Sequence, residues 1–337
     1  MMGNTKIDVG VVGATGYTGL ELVKMLLKHP KFHLNYIANS EGATTIDKLH
    51  PSLHGVCEHK VVQADVDTIV KRCALVFLAL PHKTAMAYVK PLIAKGVKVV
   101  DLSADYRLTQ EVYEEYYVTH TDIENLEHAV YGLPEMFRHE LKGANLVANP
   151  GCFPTSAILG VLPFLSKRQE NTPVIIDAKS GVSGAGKKLS DVTHFVHVNE
   201  NLFAYNPMLH RHAPEIAQKL NIDFDNVTFV PHLVPLTRGM VSSIYLQVSD
   251  DFDAEKTLYE YYKDEKYVRV CERPVDMKSV AGTNFCDIYV QRKKNILFIS
   301  SAIDNLMRGA SSQALVNANL MMGLEENMGI PEIAYVP

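Results

Sequence analysis

The first 150 residues alternate short apolar runs with amphipathic stretches. The apolar runs are rich in β-branched residues and have the length of buried strands: Ile7–Val12, Phe32–Ala38, Leu75–Leu80, Val97–Leu102 and Leu146–Val147. Leu20–Lys28 and Thr84–Lys95 carry apolar side chains at helical spacing. This alternation predicts a parallel sheet with helices on both faces, an α/β fold.

The pattern changes near Asn149. The turn Asn149-Pro150-Gly151 precedes an apolar stretch, Pro154–Leu165, that predicts a helix. Later apolar runs predict longer strands that are less regularly separated by helices: Val174–Ala178, Val227–Val230, Ser242–Val248 and Ile296–Ile303. The second half is therefore predicted to be an α+β domain with a mixed or antiparallel sheet.

The C-terminal region carries a helical stripe of apolar side chains between 307 and 327, which can pack on the first domain. We therefore predict a first domain of residues 1–148 and 308–337, and a second domain of residues 149–307. No repeat or flexible linker separates them.

Composition narrows the class of protein. The chain has 337 residues, 47% of them apolar, and a formal net charge of -5. A folded chain of about two domains is expected, without a broad nucleic-acid-binding face. Its longest apolar run, seven residues at 74–80, falls far short of the roughly 20 that cross a bilayer. No export segment is recognised at the start, so a cytoplasmic protein without a membrane partner is expected.

The five cysteines are scattered, and no CxxC spacing occurs. Neither a metal site nor a disulfide framework is predicted, and reduced thiols are expected. Four of the cysteines are interpreted as small buried residues: Cys57, Cys73, Cys271 and Cys286.

A glycine-rich motif lies between the first predicted strand and the first predicted helix. Its glycines are Gly13, Gly16 and Gly19, with Thr15 and Tyr17 between them. Glycines at such a turn let the backbone approach a pyrophosphate, and the helix N-terminus attracts the phosphates. The spacing differs from the usual G-x-G-x-x-G, and the alternative is a tight turn that binds nothing.

The end of the second predicted strand bears on the choice of dinucleotide. Asn39 and Ser40 can hydrogen-bond a 2′-phosphate, whereas Glu41 repels one. No arginine lies nearby, so the residues leave NADP and NAD open.

Cys152 lies on a turn, Asn149-Pro150-Gly151, just before an apolar helix. A helix N-terminus favours the thiolate, which is the nucleophilic form. This placement favours a catalytic cysteine over a small buried residue.

A second reactive motif is His210-Arg211-His212-Ala213-Pro214-Glu215. Pro214 suits the first turn of a helix, which places His212 just outside it and Glu215 within its first turn. Glu215 can then hold the ring of His212, the base that a thiol nucleophile requires. A surface histidine at a helix start is the alternative.

The loop 180–188 contains three glycines and ends in two lysines, a composition typical of anion-binding loops and of ordinary surface loops. Arg107 and Arg238 are candidate clamps for a carboxylate or phosphate.

Together these motifs resemble the N-acetyl-γ-glutamyl-phosphate reductases, within the superfamily of aspartate-semialdehyde and glyceraldehyde-3-phosphate dehydrogenases. The resemblance runs from residue 9 to residue 323. It is carried by GVVGATGYTGLEL, FLALPH, VVDLSADYRL, YGLPE, ANPGCFPT, SGVSGAGK, HRHAPEI, FVPHLVPLTRGM and NLMRGASSQALVNANLMMG. It implies a Rossmann NADP-binding domain joined to an α+β, glyceraldehyde-3-phosphate dehydrogenase-like catalytic and oligomerisation domain. The apolar strands of the second half are consistent with a homodimer or homotetramer.

The resemblance also implies roles for single residues. Cys152 is the expected nucleophile, His212 the acid/base and Glu215 its orienting partner. The expected cofactor-binding residues are Gly13, Thr15, Gly16, Tyr17, Gly19, Ser40, Ser183, Gly184 and Asn305. The expected substrate-binding residues are Arg107, Asn149 and His210.

The reaction so implied reduces N-acetyl-L-glutamyl 5-phosphate with NADPH through a Cys152 thioester, in arginine biosynthesis. Two other functions remain open at this point. One is a related acyl-phosphate reductase, either aspartate-semialdehyde dehydrogenase or the aminoadipate-type enzyme of lysine synthesis. The other is an NADP-binding sensor without turnover, against which the cysteine and histidine motifs argue.

Overall fold

The computed structural model describes residues 6–249 and 251–336. The chain forms two compact units. The first runs to Pro150 and includes Ala310–Ile330, and the second contains Gly151–Gly309 and the stretch that begins at Pro331. The sequence placed the divisions after residues 148 and 307, and it assigned the last seven residues to the first domain. In the structure that stretch groups with the second unit.

The first unit is built on an eight-stranded sheet in the order β3-β4-β2-β1-β5-β6-β8-β7. Its elements are β1 (Ile7–Val12), α1 (Tyr17–Leu26), β2 (Phe32–Asn39), β3 (Thr44–Thr45), α2 (Ile46–Leu49), β4 (Lys60–Gln63), α3 (Val66–Arg72), β5 (Leu75–Leu78), α4 (Met86–Ala94), β6 (Lys98–Asp101), α5 (Gln110–Tyr116), α6 (Ile123–His128), β7 (Val130–Tyr131), α7 (Pro134–Leu141) and β8 (Leu146–Ala148). All neighbouring strands are parallel except β3 and β4. The predicted α/β fold is confirmed for this unit.

The position of β1 explains where a ligand fits. β1 pairs with β2 on one side and with β5 on the other, so the strand order changes direction at β1. Ligands of open α/β sheets bind beyond the carboxyl ends of the strands at such a point. The glycine motif that follows β1 lies there.

The second unit contains a mixed seven-stranded sheet in the order β10-β11-β9-β12-β15-β14-β13. Its elements are α8 (Cys152–Val161), β9 (Val174–Gly181), α9 (Phe195–Val198), β10 (Phe203–Ala204), α10 (His212–Leu220), β11 (Val227–Val234), β12 (Met240–Gln247), α11 (Ala254–Tyr262), β13 (Val268–Val270), β14 (Cys286–Lys293) and β15 (Ile296–Ile303). β12 pairs antiparallel with β9 and β15, while β9 and β11 are parallel. The predicted α+β class and mixed sheet are confirmed.

Helix α8 covers one face of this second sheet and packs on β12 and β15. Nine of its ten residues, Phe153 to Val161, are buried. Gly160 makes this close packing possible, because a Cβ there would lie 2.7 Å from the side chain of Ile244 on β12. The helix that begins at Cys152 is thus fixed against the sheet along its length.

The tail differs from the single helix predicted for 307–327. Met307–Ser311 forms a π-helical turn, and the α-helix α12 covers Ser312–Met321. Every residue of α12 is buried, and it packs against α1, α7 and β6 of the first unit. Among the residues from 6 to 249 and from 251 to 336, no helix is long and apolar enough to cross a membrane.

His29 anchors the stretch after α12 within the first unit. It is buried, its Nδ1 accepts hydrogen bonds from the N–H groups of Lys31 and Phe32 at 3.2 and 2.8 Å, and its Nε2 donates to the carbonyl oxygen of Met328 at 3.0 Å. Burial lowers the pKa of His29, so the folded chain holds the ring neutral.

This arrangement predicts a loss of stability in mild acid. Since the folded pKa of His29 lies below the ordinary value of 6.5, stability falls as the pH drops below about 6.5. Urea unfolding at about pH 7.5 and 5.5 should show a His29 contribution of at most about 1.4 kcal/mol. His29→Asn keeps an acceptor but cannot titrate, so its stability should fall less over the same pH range. An equal fall in both proteins would contradict the assignment.

Candidate active site

Cys152 is the first residue of α8, and Gly151 is the N-cap. The sequence placed the cysteine on a turn before a helix starting at Pro154, but the helix begins two residues earlier. The Thr155 N–H donates to the Gly151 carbonyl at 3.0 Å and closes the first turn. Gly151 has no side chain with which to cap the helix, and no acidic residue lies in the helix's first turn. Its positive end therefore acts directly on the partly exposed Cys152 thiol.

Glu215 connects the cysteine turn to α10. Its carboxylate is buried, and Oε1 accepts a hydrogen bond from the Gly151 N–H at 2.9 Å. This charge-assisted bond fixes the backbone immediately before Cys152. The sequence assigned Glu215 to orient His212, and the structure adds this contact with the nucleophile turn.

His212 is the first residue of α10, one position inside the helix where the sequence placed it just outside. Its ring lies 4.8 Å from the ring of His210 and 5.8 Å from the ring of Phe153, the residue after Cys152. Helices α8 and α10 pack against each other. The structure therefore brings the predicted base and the predicted nucleophile onto adjoining helix starts in the second unit.

His210 belongs to the same cluster. Its ring contacts Phe153 at 5.6 Å and Tyr205 at 5.5 Å between centroids. Burial, with a smaller contribution from the charge of Arg211, lowers the pKa of His210 to about 4. The ring is therefore neutral at physiological pH.

Tyr205 is a site residue that the sequence reasoning missed. Its ring packs on His210, and burial together with the charge of Cys152 raises the pKa of the phenol. The hydroxyl therefore stays protonated and is a hydrogen-bond donor throughout the physiological range. The only sequence signal is its position five residues before the histidine motif.

Gly309, also missed, lies in the π-helical turn and comes close to the nucleophile. A Cβ at this position would be 2.6 Å from the Cβ of Cys152 and 3.2 Å from its Cα. Its N–H donates to the carbonyl oxygen of Asp304 at 2.9 Å. Single π-helical turns occur frequently at functional sites, and here the turn supplies the close approach.

We expect Gly309→Ala to lower kcat by about a hundredfold, because a methyl group there must displace the Cys152 backbone. The measurement is kcat beside the melting temperature and the affinity for the expected dinucleotide. Unchanged dinucleotide affinity with lost turnover would locate the damage at the thiol. A variant with wild-type kcat would contradict the close approach.

The predicted nicotinamide-end residues meet in one network of the second unit. Asn305 donates through Nδ2 to the Ser183 hydroxyl at 3.0 Å and accepts from the Gly239 N–H through Oδ1 at 2.8 Å. A Cβ on Gly184 would lie 3.7 Å from the Asn305 amide nitrogen. Asn305 thus joins the glycine-rich loop after β9 to the loop before β12.

Asp304 fixes the chain next to Asn305. Its buried carboxylate accepts from the backbone N–H groups of Gly282 and Leu306, at 2.7 and 2.8 Å, and pairs with Arg238 at 3.3 Å. The sequence predicted Arg238 as a clamp for a bound anion. In the structure one nitrogen of its guanidinium pairs with the carboxylate of Asp304.

Arg107 and Asn149 lie together in the first unit and are both buried. Arg107 donates through Nε to the Asn149 carbonyl at 2.7 Å and through Nη2 to the Leu102 carbonyl at 2.8 Å. The Asn149 amide donates to the carbonyl of Ala310 and accepts from the amide of Asn317. These bonds hold the turn ahead of Pro150 in place.

The glycine motif has the shape of a phosphate cradle. Gly13 has φ +92°, and a Cβ there would lie 2.1 Å from the carbonyl oxygen of Ala79. A Cβ at Gly19 would lie 2.5 Å from the Gly13 carbonyl, which explains the close packing of α1 on the turn. A Cβ at Gly16 would meet only one atom, at 3.8 Å, so open space remains before the N-terminus of α1. These features fit a dinucleotide pyrophosphate.

The loop after β2 is shaped by Asn39. Its Oδ1 accepts from the N–H groups of Glu41 and Gly42, and its Nδ2 donates to the Thr15 hydroxyl at 3.2 Å. The next residue, Ser40, is exposed, as is Tyr17 at the start of α1. Thr15 of the glycine motif is thus in contact with Asn39, the last residue of β2.

The remaining cysteines differ from Cys152. Cys57, Cys73 and Cys286 are buried as predicted, and burial raises the pKa of the Cys73 thiol to about 12. The prediction of a buried residue is wrong for Cys271, which is partly exposed. In the described parts of the chain, no group of three or more His, Cys, Asp or Glu side chains is arranged to hold a metal ion.

Comparison with known proteins identifies the family. Residues 8–144 match the model of the semialdehyde dehydrogenase NAD binding domain, and residues 152–305 match that of the semialdehyde dehydrogenase dimerisation domain. An N-acetyl-γ-glutamyl-phosphate reductase from Sulfurimonas denitrificans is 73% identical over 331 residues, 98% of this chain and 99% of the relative. The chain belongs to the N-acetyl-γ-glutamyl-phosphate reductase family. Another reductase of this name, from a Sulfurovum species, is 58% identical over 98% of this chain and 100% of its own. The resemblance inferred from the motifs is thereby confirmed.

Solved structures of more distant proteins share the fold. An aspartate semialdehyde dehydrogenase II from Vibrio cholerae has a TM-score of 0.69 at 15% identity, covering 95% of this chain and 99% of its own. An aspartate semialdehyde dehydrogenase from Candida albicans, solved with NADP, has a TM-score of 0.69 at 12% identity, covering 96% and 100%. Both confirm the two-part fold class.

Proposed function

We propose that the protein reduces N-acetyl-L-glutamyl 5-phosphate to N-acetyl-L-glutamate 5-semialdehyde and phosphate, with NADPH as hydride donor, in arginine biosynthesis. The observation that carries the proposal is the placement of Cys152 at the N-terminus of α8, with the preceding Gly151 N–H bonded to Glu215. The family of the curated relatives supplies the substrate class.

The chain's own groups supply the chemistry of acyl transfer. The Cys152 thiolate attacks the acyl carbon, the C–S bond forms and the C–O bond to phosphate breaks, which leaves a thioester and inorganic phosphate. The N–H groups at the start of α8 stabilise the oxyanion that develops in this step. His212 gives a proton to the hemithioacetal oxygen and takes it back as the semialdehyde leaves and the thiolate is restored. Glu215 keeps the cysteine turn in place throughout.

NADP is the proposed cofactor, and when bound its reduced nicotinamide supplies hydride to the thioester carbonyl. The proposed phosphate contacts are the cradle of Gly13, Gly16 and Gly19 with Thr15 and Tyr17. The exposed Ser40 is proposed for the 2′-phosphate, and Ser183, Gly184 and Asn305 for the nicotinamide end. Arg107 and Asn149 are proposed for the substrate region. The NAD binding domain match supports a nicotinamide cofactor of either kind.

The test is the initial rate of reduced-cofactor formation from N-acetyl-glutamate semialdehyde and phosphate. We expect activity with NADP to exceed activity with NAD. Aspartate semialdehyde and the aminoadipate semialdehyde analogue serve as competing substrates, and a higher kcat/KM with either would contradict the proposed substrate.

We further propose that the protein is cytoplasmic and forms a homodimer or homotetramer through the face of the second sheet opposite α8. The dimerisation domain match covers this sheet. Three side chains in cross-strand register form an apolar patch on it: Ile175 on β9, Tyr245 on β12 and Phe298 on β15. Ile175 and Tyr245 are 39% and 40% exposed, and apolar area of this kind favours association.

We expect Tyr245→Glu to shift the mass measured by light scattering toward that of a single chain, because it places a charge in the centre of this patch. Tyr259→Glu is the matched control, since Tyr259 is an exposed tyrosine on α11. If Tyr245→Glu kept the wild-type mass, this face would not be the interface.

A further inference from the structure

His210 has a contact that its expected role at the substrate does not explain. The N–H of His212 donates to the Nδ1 of His210 at 3.1 Å. His212 is the first residue of α10, and the N-cap residue, Arg211, makes no side-chain hydrogen bond to the helix. The first N–H groups of a helix have no partner within the helix, so a side-chain acceptor nearby stabilises its start. His210 provides that acceptor from one residue before the N-cap.

We infer that His210 is a positioning residue, which holds the backbone and ring of His212 in place by accepting its N–H, rather than a group that contacts substrate. The hydrogen bond fixes the backbone of His212, and the two rings lie 4.8 Å apart. Phe153, Tyr205 and Phe229 pack around the His210 ring at 5.4 to 5.6 Å and restrict its rotation.

The protonation state of His210 agrees with this role. An Nδ1 that accepts a hydrogen bond carries no proton, so the proton of the neutral ring is on Nε2. Burial and the charge of Arg211 lower the pKa of His210 to about 4, and the acceptor therefore persists over the working range. The neutral ring also avoids a second positive charge beside His212 when His212 is protonated.

The experiment compares three variants. His210→Asn keeps an acceptor at the position of Nδ1, His210→Leu removes it, and Phe229→Leu reduces packing on the His210 ring while leaving the acceptor. Each is assayed for kcat and KM with N-acetyl-glutamate semialdehyde, and hydrogen–deuterium exchange is measured at the first turn of α10. Melting temperatures show how much general stability each variant loses.

We expect His210→Leu to lower kcat at least about tenfold with KM within about twofold, because a displaced base transfers protons poorly. It should also speed exchange at the first turn of α10. His210→Asn should restore kcat to within about threefold of wild type, and Phe229→Leu should lower the melting temperature with a much smaller loss of kcat than His210→Leu. A tenfold rise in KM with kcat retained, a His210→Asn variant as slow as His210→Leu, or an equal kcat loss in Phe229→Leu would each overturn the inference.

The inference rests on the proposed function for its kinetic part only. If the wild-type protein did not turn over the semialdehyde, the proposed function would fail, while the exchange measurement would still decide whether His210 holds the start of α10.

Discussion

Cys152→Ser is expected to lower kcat/KM by at least about a thousandfold while NADP affinity and the melting temperature stay close to wild type. A serine hydroxyl fits the same space but is far less ionised than a thiol, so the helix N-terminus at Cys152 has no anion to favour. Steady-state kinetics and fluorescence titration with NADP measure both effects. The thiol lies in the second unit and the glycine cradle in the first, so a substitution at Cys152 can change turnover without changing NADP affinity.

Cys271→Ser is the matched control for that substitution. Cys271 is also partly exposed and lies in the second unit, but burial raises the pKa of its thiol. The turnover of the Cys271→Ser variant should therefore stay near that of the wild type. Retention of more than about a tenth of the activity in Cys152→Ser would show that Cys152 is not the nucleophile.

Gly13→Ala is expected to remove NADP binding and to lower the free energy of unfolding by about 3 kcal/mol or more. The backbone of Gly13 has φ +92°, a conformation that an L side chain rarely adopts. The added Cβ would also lie 2.1 Å from the carbonyl oxygen of Ala79, so either the turn or the β5 end must move. Urea unfolding and NADP titration provide the measurements.

Gly96→Ala separates the two causes. Gly96 has φ +79° in the same unit, but nothing lies within 4 Å of a Cβ there. We expect a loss of about 1 kcal/mol from backbone strain alone, with normal NADP affinity. Equal losses in the two variants would show that the contact with Ala79 carries no cost.

The strands of the first unit were predictable because both faces of a parallel sheet are buried. The run from Ile7 to Val12 reads as almost continuously apolar for that reason, and the structure places β1 there. The short strand β4, second from the edge of the sheet and with exposed lysine and glutamine at its two ends, carries no such signal and was missed. Strand β14 was missed as well, since its second half is polar.

The starts of α8 and α10 were predicted within two residues, whereas α1 begins at Tyr17, three residues before the predicted start at Leu20. Proline at 154 suggested the start of α8, but the helix already begins at Cys152, because proline is tolerated anywhere in the first turn. Pro214 is likewise in the first turn of α10 and not at its start, so His212 lies inside the helix and not just before it. Both shifts bear on function, since they place the thiol and the imidazole on the first residue of a helix.

The candidate site was predictable only where local sequence carries the chemistry. The cysteine turn and the histidine motif are each contiguous, so their residue types identify them. Glu215 meets Gly151 across 64 positions in sequence, and Gly309 meets Cys152 across 157, from 309 − 152. Such pairs depend on how helices pack, which residue patterns do not specify.

The most direct test of the account is a single-turnover reaction of N-acetyl-glutamate semialdehyde with NADP in the absence of phosphate, followed by acid quench and peptide mass spectrometry. If Cys152 forms the thioester, a burst of reduced cofactor of about one equivalent per chain is expected, together with an acyl group on the peptide that contains Cys152. Addition of phosphate before the quench should release the acyl group from the enzyme. A burst without an acyl group on Cys152, or an acyl group on a different cysteine, would contradict this role of Cys152.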